Sequence, residues 1–135
     1  MTVFIDIAVA GVVVNDGKML IMRRSKSKSH YAGSWDFPCE RVKDEGSLSG
    51  NVVRGVMEEA GLAVEVVRRG SPVTLEDGDW RFVVVPLLCD AGSRDVRMDR
   101  EHDDFRWVSL DELDGFDMIH NTRDILNALG LMRKG

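Results

Sequence analysis

The chain has 135 residues, which matches one domain in the usual range of about 100–200 residues. Hydrophobic residues make up 44% and charged residues 30%, which excludes a disordered chain, a collagen and a small disulfide scaffold. The 23 acidic and 18 basic residues give a net charge of -5, so no global positive field attracts a nucleic acid polymer or an anionic membrane. We therefore predict a single domain over residues 1–135.

The two cysteines give information about the compartment. Cys39 and Cys89 lie far apart and lack the CxxC or histidine spacing of a zinc site, so we expect free thiols in a reducing environment. The N-terminus has no basic region ahead of an apolar run, and no apolar run approaches the roughly 20 residues of a membrane span. These features predict a soluble cytoplasmic protein without a membrane partner.

The first part of the chain predicts a β-hairpin and a third strand. An apolar, β-branched run over 5–14 stops at the turn signal Asn15-Asp16-Gly17, and residues 18–23 form the returning strand. A polar loop follows over 24–34, and a short strand over 35–37 ends at a proline. The next segment, up to Gly46, contains turn residues and three acids, so we expect a loop there.

Residues 47–61 predict a helix with recognisable ends. Ser47 is a suitable N-cap, and Gly61 stands where a C-terminal glycine belongs. A helical spacing of i, i+3, i+4 and i+7 connects four apolar residues, which we expect to face the core: Val53, Val56, Met57 and Ala60. The opposite arc carries Arg54, Glu58 and Glu59 together.

The remaining chain predicts more strands and two more helices. Strands are expected over 63–69, over the valine-rich run 80–89, at an edge over 94–98, and over 105–108. Helices are expected after the capping residue Ser109 and over 121–131. The predicted fold class is therefore α/β (α+β), with a mixed β-sheet sandwiched between α-helices.

The predicted helix 47–61 carries a pattern of arginine, glutamates and glycine that resembles the signature of the Nudix hydrolases, a MutT-like family. That signature reads G-x5-E-x7-R-E-U-x-E-E-x-G-U, where U is a bulky aliphatic residue. The chain matches it at Arg54, Val56, Glu58, Glu59, Gly61 and Leu62. It departs in three places: Glu40 stands at the first glycine, Gly46 at the first glutamate and Gly55 at the glutamate after the arginine.

The resemblance also covers most of the remaining chain. A second strand ending in Arg23-Arg24 and a Trp-x-x-Pro segment before the signature follow the family's order. Downstream, Glu101-His102 precedes a closing strand and a helix. The resemblance therefore implies the Nudix fold for the whole chain.

The family's activity implies a function for these residues. Nudix enzymes cleave the pyrophosphate bond of a nucleoside diphosphate linked to another group, as in a nucleoside triphosphate, a dinucleotide, ADP-ribose or a nucleotide sugar. They use a divalent metal, Mg²⁺ or Mn²⁺, which carboxylates hold against the polyanionic substrate. By resemblance, Glu58 and Glu59 are metal ligands, and Arg54 holds a carboxylate in place. Arg23 and Arg24 are candidate phosphate-binding residues, with a solvated strand end as the other interpretation.

Gly55 can neither bind a metal nor accept a proton from water, so another acid must supply that role in an active enzyme. The candidates are Glu40, Glu45 and Glu101. We predict Glu101 as a metal ligand or base, with ordinary surface charge as the other interpretation. We predict Glu40 as a further metal ligand, with an ordinary loop acid as the other interpretation.

Two other functions compete with hydrolysis. The altered signature is also typical of a catalytically impaired nucleotide-binding or sensor module, and a purely structural domain is the third interpretation. Each of the first two predicts a small-molecule nucleotide partner, no nucleic acid polymer and no membrane. The apolar strands also permit a homodimer. His30, His102 and His120 are expected to be loop or turn residues without substrate contact.

Overall fold

The computed structural model describes residues 2–43 and 46–132, and these residues form an eight-stranded mixed sheet with helices on both faces. The strands are β1 (Phe4–Asn15), β2 (Lys18–Arg24), β3 (Trp35–Asp36), β4 (Cys39–Arg41), β5 (Val64–Arg69), β6 (Val73–Asp77), β7 (Trp80–Ala91) and β8 (His102–Val108). The helices are α1 (Leu48–Ala60), a 3₁₀ helix (Leu110–Gly115) and α2 (Thr122–Ala128). The predicted α/β (α+β) class is confirmed.

The sheet is organised around β1 and β7. The main strand order is β3-β2-β1-β7-β5, while β4 pairs with β1, β6 with β7 and β8 with β2. β1 and β7 run parallel from Phe4 opposite Trp80 to Val14 opposite Asp90. The predicted hairpin between β1 and β2 is confirmed, and its turn residues Asp16 and Gly17 have φ values of 50° and 75°.

The two faces of β1 belong to two hydrophobic clusters, because successive side chains of a strand point in opposite directions. Ala8, Ala10 and Val12 pack in the cluster that contains the buried residues of α2. Val9 and Val13 pack in the cluster that contains the buried residues of α1. The apolar run in the sequence is continuous because both faces of this strand are covered.

The α1 helix begins and ends where the sequence predicts. Ser47 Oγ accepts a hydrogen bond from the backbone N–H of Gly50 at 2.8 Å, and Gly61 ends the helix with a φ of 68°. Two residues of the predicted apolar stripe, Val53 and Met57, are 37% and 49% exposed. The prediction that this stripe faces the core is therefore wrong at both positions.

The buried face of α1 is rotated relative to the predicted one, and it includes polar residues of the helix. The buried residues of α1 are Asn51, Val52, Gly55, Val56, Glu59 and Ala60. Gly11 of β1 permits this close approach, since a Cβ there would lie 3.1 Å from a methyl of Val52 and 3.2 Å from a methyl of Val56. With this face against the sheet, Val53 and Met57 point toward solvent.

The segment between β7 and β8 is an irregular loop, so the prediction of an edge strand over 94–98 is wrong. The backbone N–H groups of Arg97 and Asp99 donate to the carbonyls of Ala60 and Glu59, at 2.8 and 3.1 Å. The last carbonyls of a helix have no partner within the helix, and this loop satisfies two of them. The loop is therefore held at the end of α1 instead of pairing in the sheet.

The last helices are shorter than predicted. The segment after Ser109 forms the 3₁₀ helix, and its first turn is supported by a hydrogen bond from Ser109 N–H to Glu112 Oε1 at 2.9 Å. The predicted helix over 121–131 is confirmed only over α2, since the chain turns at Gly130 with a φ of 70°. Within residues 2–43 and 46–132, no helix is long and apolar enough to cross a membrane.

Replacing Gly61 should destabilise the fold more than replacing Gly130, although both have similar positive φ values of 68° and 70°. We expect Gly130→Ala to lower the free energy of unfolding by about 1 kcal/mol through backbone strain. Gly61→Ala should lower it further, because the added Cβ would lie 3.0 Å from the Cβ of Arg97, whereas Gly130 has open space around it. Urea unfolding of both variants measures the difference, and equal losses would contradict this account.

Candidate functional site

A cavity of about 600 Å³ opens between α1, β3, β4 and the loops that precede β3 and β8. Its carboxylates are Asp36, Glu40, Glu58, Glu59, Asp99 and Glu101. Its basic side consists of Arg24, Lys28, Arg41 and Lys43. Its apolar end consists of Leu75, Phe82, Val84, Ile119 and Ile125. The cavity therefore combines both signs of charge with an apolar surface.

Three side chains form what we call the Glu59 cluster: Glu59, Asp99 and His102. One ligand atom from each lies within 4.8 Å of the others. His102 Nε2 is 3.8 Å from Glu59 Oε1, and His102 Nδ1 is 2.8 Å from Asp99 Oδ1. A hydrogen bond to Asp99 fixes the orientation of the imidazole and points its other nitrogen toward Glu59.

The electrostatic environment of Glu59 is strongly unfavourable for its negative charge. Burial raises the pKa of Glu59 well above its usual value, and the nearby carboxylates of Asp99, Glu40 and Asp36 raise it further. Lys28 acts in the opposite direction. Negative charge thus accumulates at this point beyond what the basic side neutralises.

The donor set fits a divalent metal ion. Mg²⁺ and Mn²⁺ prefer carboxylate oxygens, and a neutral imidazole nitrogen is a further ligand that Mn²⁺ accepts. Glu59 and Asp99 supply the oxygens and His102 the nitrogen. A dication here would also offset the repulsion between the buried carboxylates. The chemistry of these residues therefore matches the metal that the sequence resemblance implies.

Glu58 lines the more exposed side of the cavity, and Arg54 lies beside it on α1. The side chain of Glu58 is 51% exposed, and its Oε1 lies 3.9 Å from Arg54 Nε one turn earlier in α1. Arg54 Nη2 also donates to Asn51 Oδ1 at 2.7 Å. At this distance the two groups form an ion pair without a hydrogen bond, and Arg54 Nε has no hydrogen-bond partner among the described residues. The role of Arg54 in holding a carboxylate stays a prediction.

Glu101 lies at the cavity entrance in contact with Lys28. The Lys28 Nζ donates to Glu101 Oε2 at 3.0 Å, and this hydrogen bond lowers the pKa of the Glu101 carboxyl. The ligand atoms of the Glu59 cluster do not include this side chain. Its predicted role as a metal ligand or base stays a prediction. Glu45, the third candidate for the missing acid, lies outside the described residues.

The two arginines at the end of β2 have different surroundings, since neighbouring residues of a strand face opposite sides. Arg24 lines the cavity, where its Nε donates to the carbonyl of His30 at 2.9 Å. Arg23 Nε is 2.6 Å from Asp103 Oδ1, and its side chain is not among those that line the cavity. Of the two arginines, only Arg24 lines the cavity, and the phosphate-binding role stays a prediction for both.

Sequence reasoning missed Asp99 and His102. His102 was expected in a loop, but it is the first residue of β8 and is only 6% exposed. Only the two ends of β8, His102 and Val108, are buried, so the strand gives no alternating pattern that would point to His102. No sequence pattern pointed to Asp99, because its position depends on backbone hydrogen bonds between its loop and the end of α1.

The apolar end of the cavity contains a polar group with a free acceptor. Asn121 occupies the N-cap position of α2, but its side chain makes no capping hydrogen bond. Its Oδ1 is buried without a hydrogen-bond partner among the described residues. An unpaired acceptor of this kind can bind an N–H group of a ligand.

The chain belongs to the Nudix family: the family model for the NUDIX domain matches residues 5–129. Nucleoside triphosphatase NudI from Klebsiella pneumoniae (strain 342) is 25% identical over 135 residues, covering 92% of this chain and 96% of that protein. The structure of a MutT protein from Methanosarcina mazei Go1 matches with a TM-score of 0.81, 29% identity and 94% coverage of both chains. A MutT NUDIX hydrolase from Burkholderia pseudomallei also has a TM-score of 0.81, with 26% identity and 93% and 98% coverage.

Asp36, a buried carboxylate of the cavity, should make stability depend on pH. Burial raises the pKa of Asp36 from 3.8 to about 6, against the opposing effect of Arg24. The folded state therefore holds this proton more tightly than the unfolded state does. The penalty for ionising Asp36 is absent below about pH 4 and grows to roughly 3 kcal/mol as the pH rises past the folded-state pKa.

Asp36→Asn should remove this dependence, since an amide has no proton to lose. The difference in the free energy of unfolding, variant minus wild type, should be larger at pH 7 than at pH 4. Urea unfolding at both values measures the change, with the exposed residue Asp90 replaced by Asn as the control. Parallel pH profiles for wild type and Asp36→Asn would contradict the prediction.

Proposed function

We propose that the protein is a metal-dependent hydrolase that cleaves the pyrophosphate bond of a nucleoside diphosphate linked to another group. The observation that carries this proposal is the joint presence of the Glu59 cluster, the basic side and the apolar end in one cavity. These parts match the divalent metal, the phosphates and the nucleobase of such a substrate.

Nucleoside triphosphates are the first substrate class to test, because the curated relatives at similar length are named nucleoside triphosphatases. Dinucleotides, ADP-ribose and nucleotide sugars have the same pyrophosphate link and form the rest of the panel. In each case the partner is a small molecule rather than a nucleic acid polymer, in keeping with the net charge of -5.

The proposed roles follow the positions of the side chains. Glu58 and Glu59 would hold Mg²⁺ or Mn²⁺, with Asp99 and His102 completing the donor set, and Arg54 would position Glu58. When bound, the metal lowers the pKa of water and draws charge from the phosphate oxygens. Arg24 and Lys28 would bind phosphate oxygens by charge-assisted hydrogen bonds. Arg23 is also proposed to bind phosphate, although its side chain does not line the cavity.

The proposed reaction is a hydrolysis. Water adds to one phosphorus atom, the bridging P–O bond breaks, and the bridging oxygen leaves on the other phosphate group. Glu101 is the proposed acceptor of the water proton, because it is an ionised carboxylate at the cavity entrance and Lys28 holds it in one orientation. Asn121 and the apolar end would contact the base.

The same proposal assigns residues 1–135 to one Nudix domain in the cytoplasm, without a membrane partner. Cys39 and Cys89 are free thiols, as expected in a reducing compartment. A homodimer would use the exposed apolar residues at the start of β1, which are Phe4, Ile5 and Ile7.

Turnover of the substrate panel should require Mg²⁺ or Mn²⁺ and should depend on Glu59. We expect Glu59→Gln to reduce the rate by at least about 100-fold, because an amide does not replace a metal-binding carboxylate. Release of phosphate or nucleotide is measured for wild type and variant, with each metal and with EDTA. The exposed Glu65, replaced by Gln, is the control and should keep wild-type turnover. Wild-type protein without turnover of any substrate would overturn the proposal.

The variant Glu101→Gln tests whether Glu101 is the base or a metal ligand. If Glu101 accepts the water proton, its loss should lower kcat by about 10²–10⁴-fold. Affinity for Mn²⁺, measured by calorimetry, should stay at the wild-type value, whereas Glu59→Gln should weaken it. A large loss of Mn²⁺ affinity in Glu101→Gln would identify this residue as a metal ligand instead.

A further inference from the structure

Positions 40 and 55 depart from the Nudix signature in opposite directions. The chain has glutamate at position 40, where the signature has glycine, and glycine at position 55, where the signature has glutamate. The two residues are far apart in sequence, one on β4 and the other in the middle of α1. Their exchange is informative only if the two positions share the same space.

The structure places them in direct contact. A Cβ added to Gly55 would overlap Oε2 of Glu40, and it would lie 3.1 Å from the Cβ and 3.2 Å from the Cδ of the same side chain. Real Cβ atoms essentially never approach other atoms as closely as the Oε2 overlap requires. The Glu40 carboxylate therefore occupies the volume into which a side chain at position 55 would begin to extend.

The Glu40 carboxylate is also incompletely paired. Its side chain is 11% exposed, and its Oε1 lies 3.1 Å from Lys43 Nζ. Its Oε2 is buried and has no hydrogen-bond partner in the part of the chain that the structure describes. A buried carboxylate oxygen without a partner is costly, so its retention points to a positively charged partner.

Lys43 indicates where such a partner would lie. Its ammonium group is 3.1 Å from Glu40 Oε1 and 3.9 Å from Glu58 Oε2, so one cation already bridges these two carboxylates. The side chain of Lys43 is 59% exposed and can move aside. Glu40 and the Glu59 cluster also line the same cavity, through Glu59 and Asp99.

We propose that Glu40 supplies from β4 the metal-binding carboxylate that α1 lacks at position 55, and that Gly55 leaves the space which this carboxylate needs. Lys43 is the counter-ion of Glu40 and Glu58 in the metal-free protein. The inference rests on the proposed metal-dependent function. It explains two departures from the signature by one exchange, and it makes positions 40 and 55 energetically coupled.

The test is a double-mutant cycle with Mn²⁺ affinity as its readout, measured by calorimetry without nucleotide. Gly55→Ala should weaken Mn²⁺ binding by about tenfold or more in the wild-type background, because the methyl group displaces the Glu40 carboxylate. In the Glu40→Ala background the same change should have no further effect. Gly50→Ala, in the same helix but beside Ser47 Oγ, is the matched control and should leave Mn²⁺ affinity unchanged.

A rescue experiment tests the exchange itself. Glu40→Gly should weaken Mn²⁺ binding by about tenfold or more, and Gly55→Glu added to it should recover most of that loss. Glu40→Gln keeps the shape of the side chain and should also weaken binding, so the result does not depend on the folding of the glycine variant. Thermal unfolding of each metal-free protein checks that all variants are folded.

The outcomes separate this inference from the proposed function. Equal effects of Gly55→Ala with and without Glu40, or unchanged Mn²⁺ affinity in Glu40→Gln, would overturn the inference whether or not the protein hydrolyses nucleotides. Wild-type protein that binds no Mn²⁺ would overturn it as well. Coupled Mn²⁺ binding without turnover of any substrate would support the exchange and overturn only the hydrolase proposal.

Discussion

The close packing of α1 against β1 and β4 is the constraint on which the candidate site depends. The helix can approach β1 because Gly11 has no side chain to meet Val52 and Val56. The same approach buries Glu59 and presents the last carbonyls of α1 to the loop before β8. That loop then brings Asp99 beside Glu59. One packing arrangement between helix and sheet thus assembles side chains from three parts of the chain.

The buried carboxylates of the cavity carry charge that lowers the stability of the fold. Burial raises the pKa values of both Glu59 and Asp36, and the neighbouring carboxylates raise that of Glu59 further. Lys28 pairs with the exposed acid Glu101, whereas Lys43 pairs with only one oxygen of the largely buried Glu40. Sites that bind metals and polyanions commonly retain unfavourable charge of this kind, because the bound ligand compensates it.

The departures from the Nudix signature have different meanings once the structure is considered. Membership of the family specifies the fold, whereas chemistry depends on the groups in the site. Gly55 taken alone suggests a lost carboxylate, and Glu40 taken alone suggests an ordinary loop acid. Their contact across the helix–sheet interface relates them, because the space left by one is filled by the other. A signature read position by position cannot represent such an exchange.

Local sequence patterns determined the hairpin, the strands β3, β5 and β7, both ends of α1 and the family to which the chain belongs, because caps, turns and apolar runs act over a few residues. The strand β4, where a loop was expected, and the strand β6 were not predicted. Tertiary structure decided which face of α1 is buried, as Val53 and Met57 show, since that depends on how closely the sheet allows the helix to approach. It also decided the membership of the site. Asp99 and His102 join Glu59 only because the end of α1 binds a distant loop through backbone hydrogen bonds, which no side-chain pattern encodes.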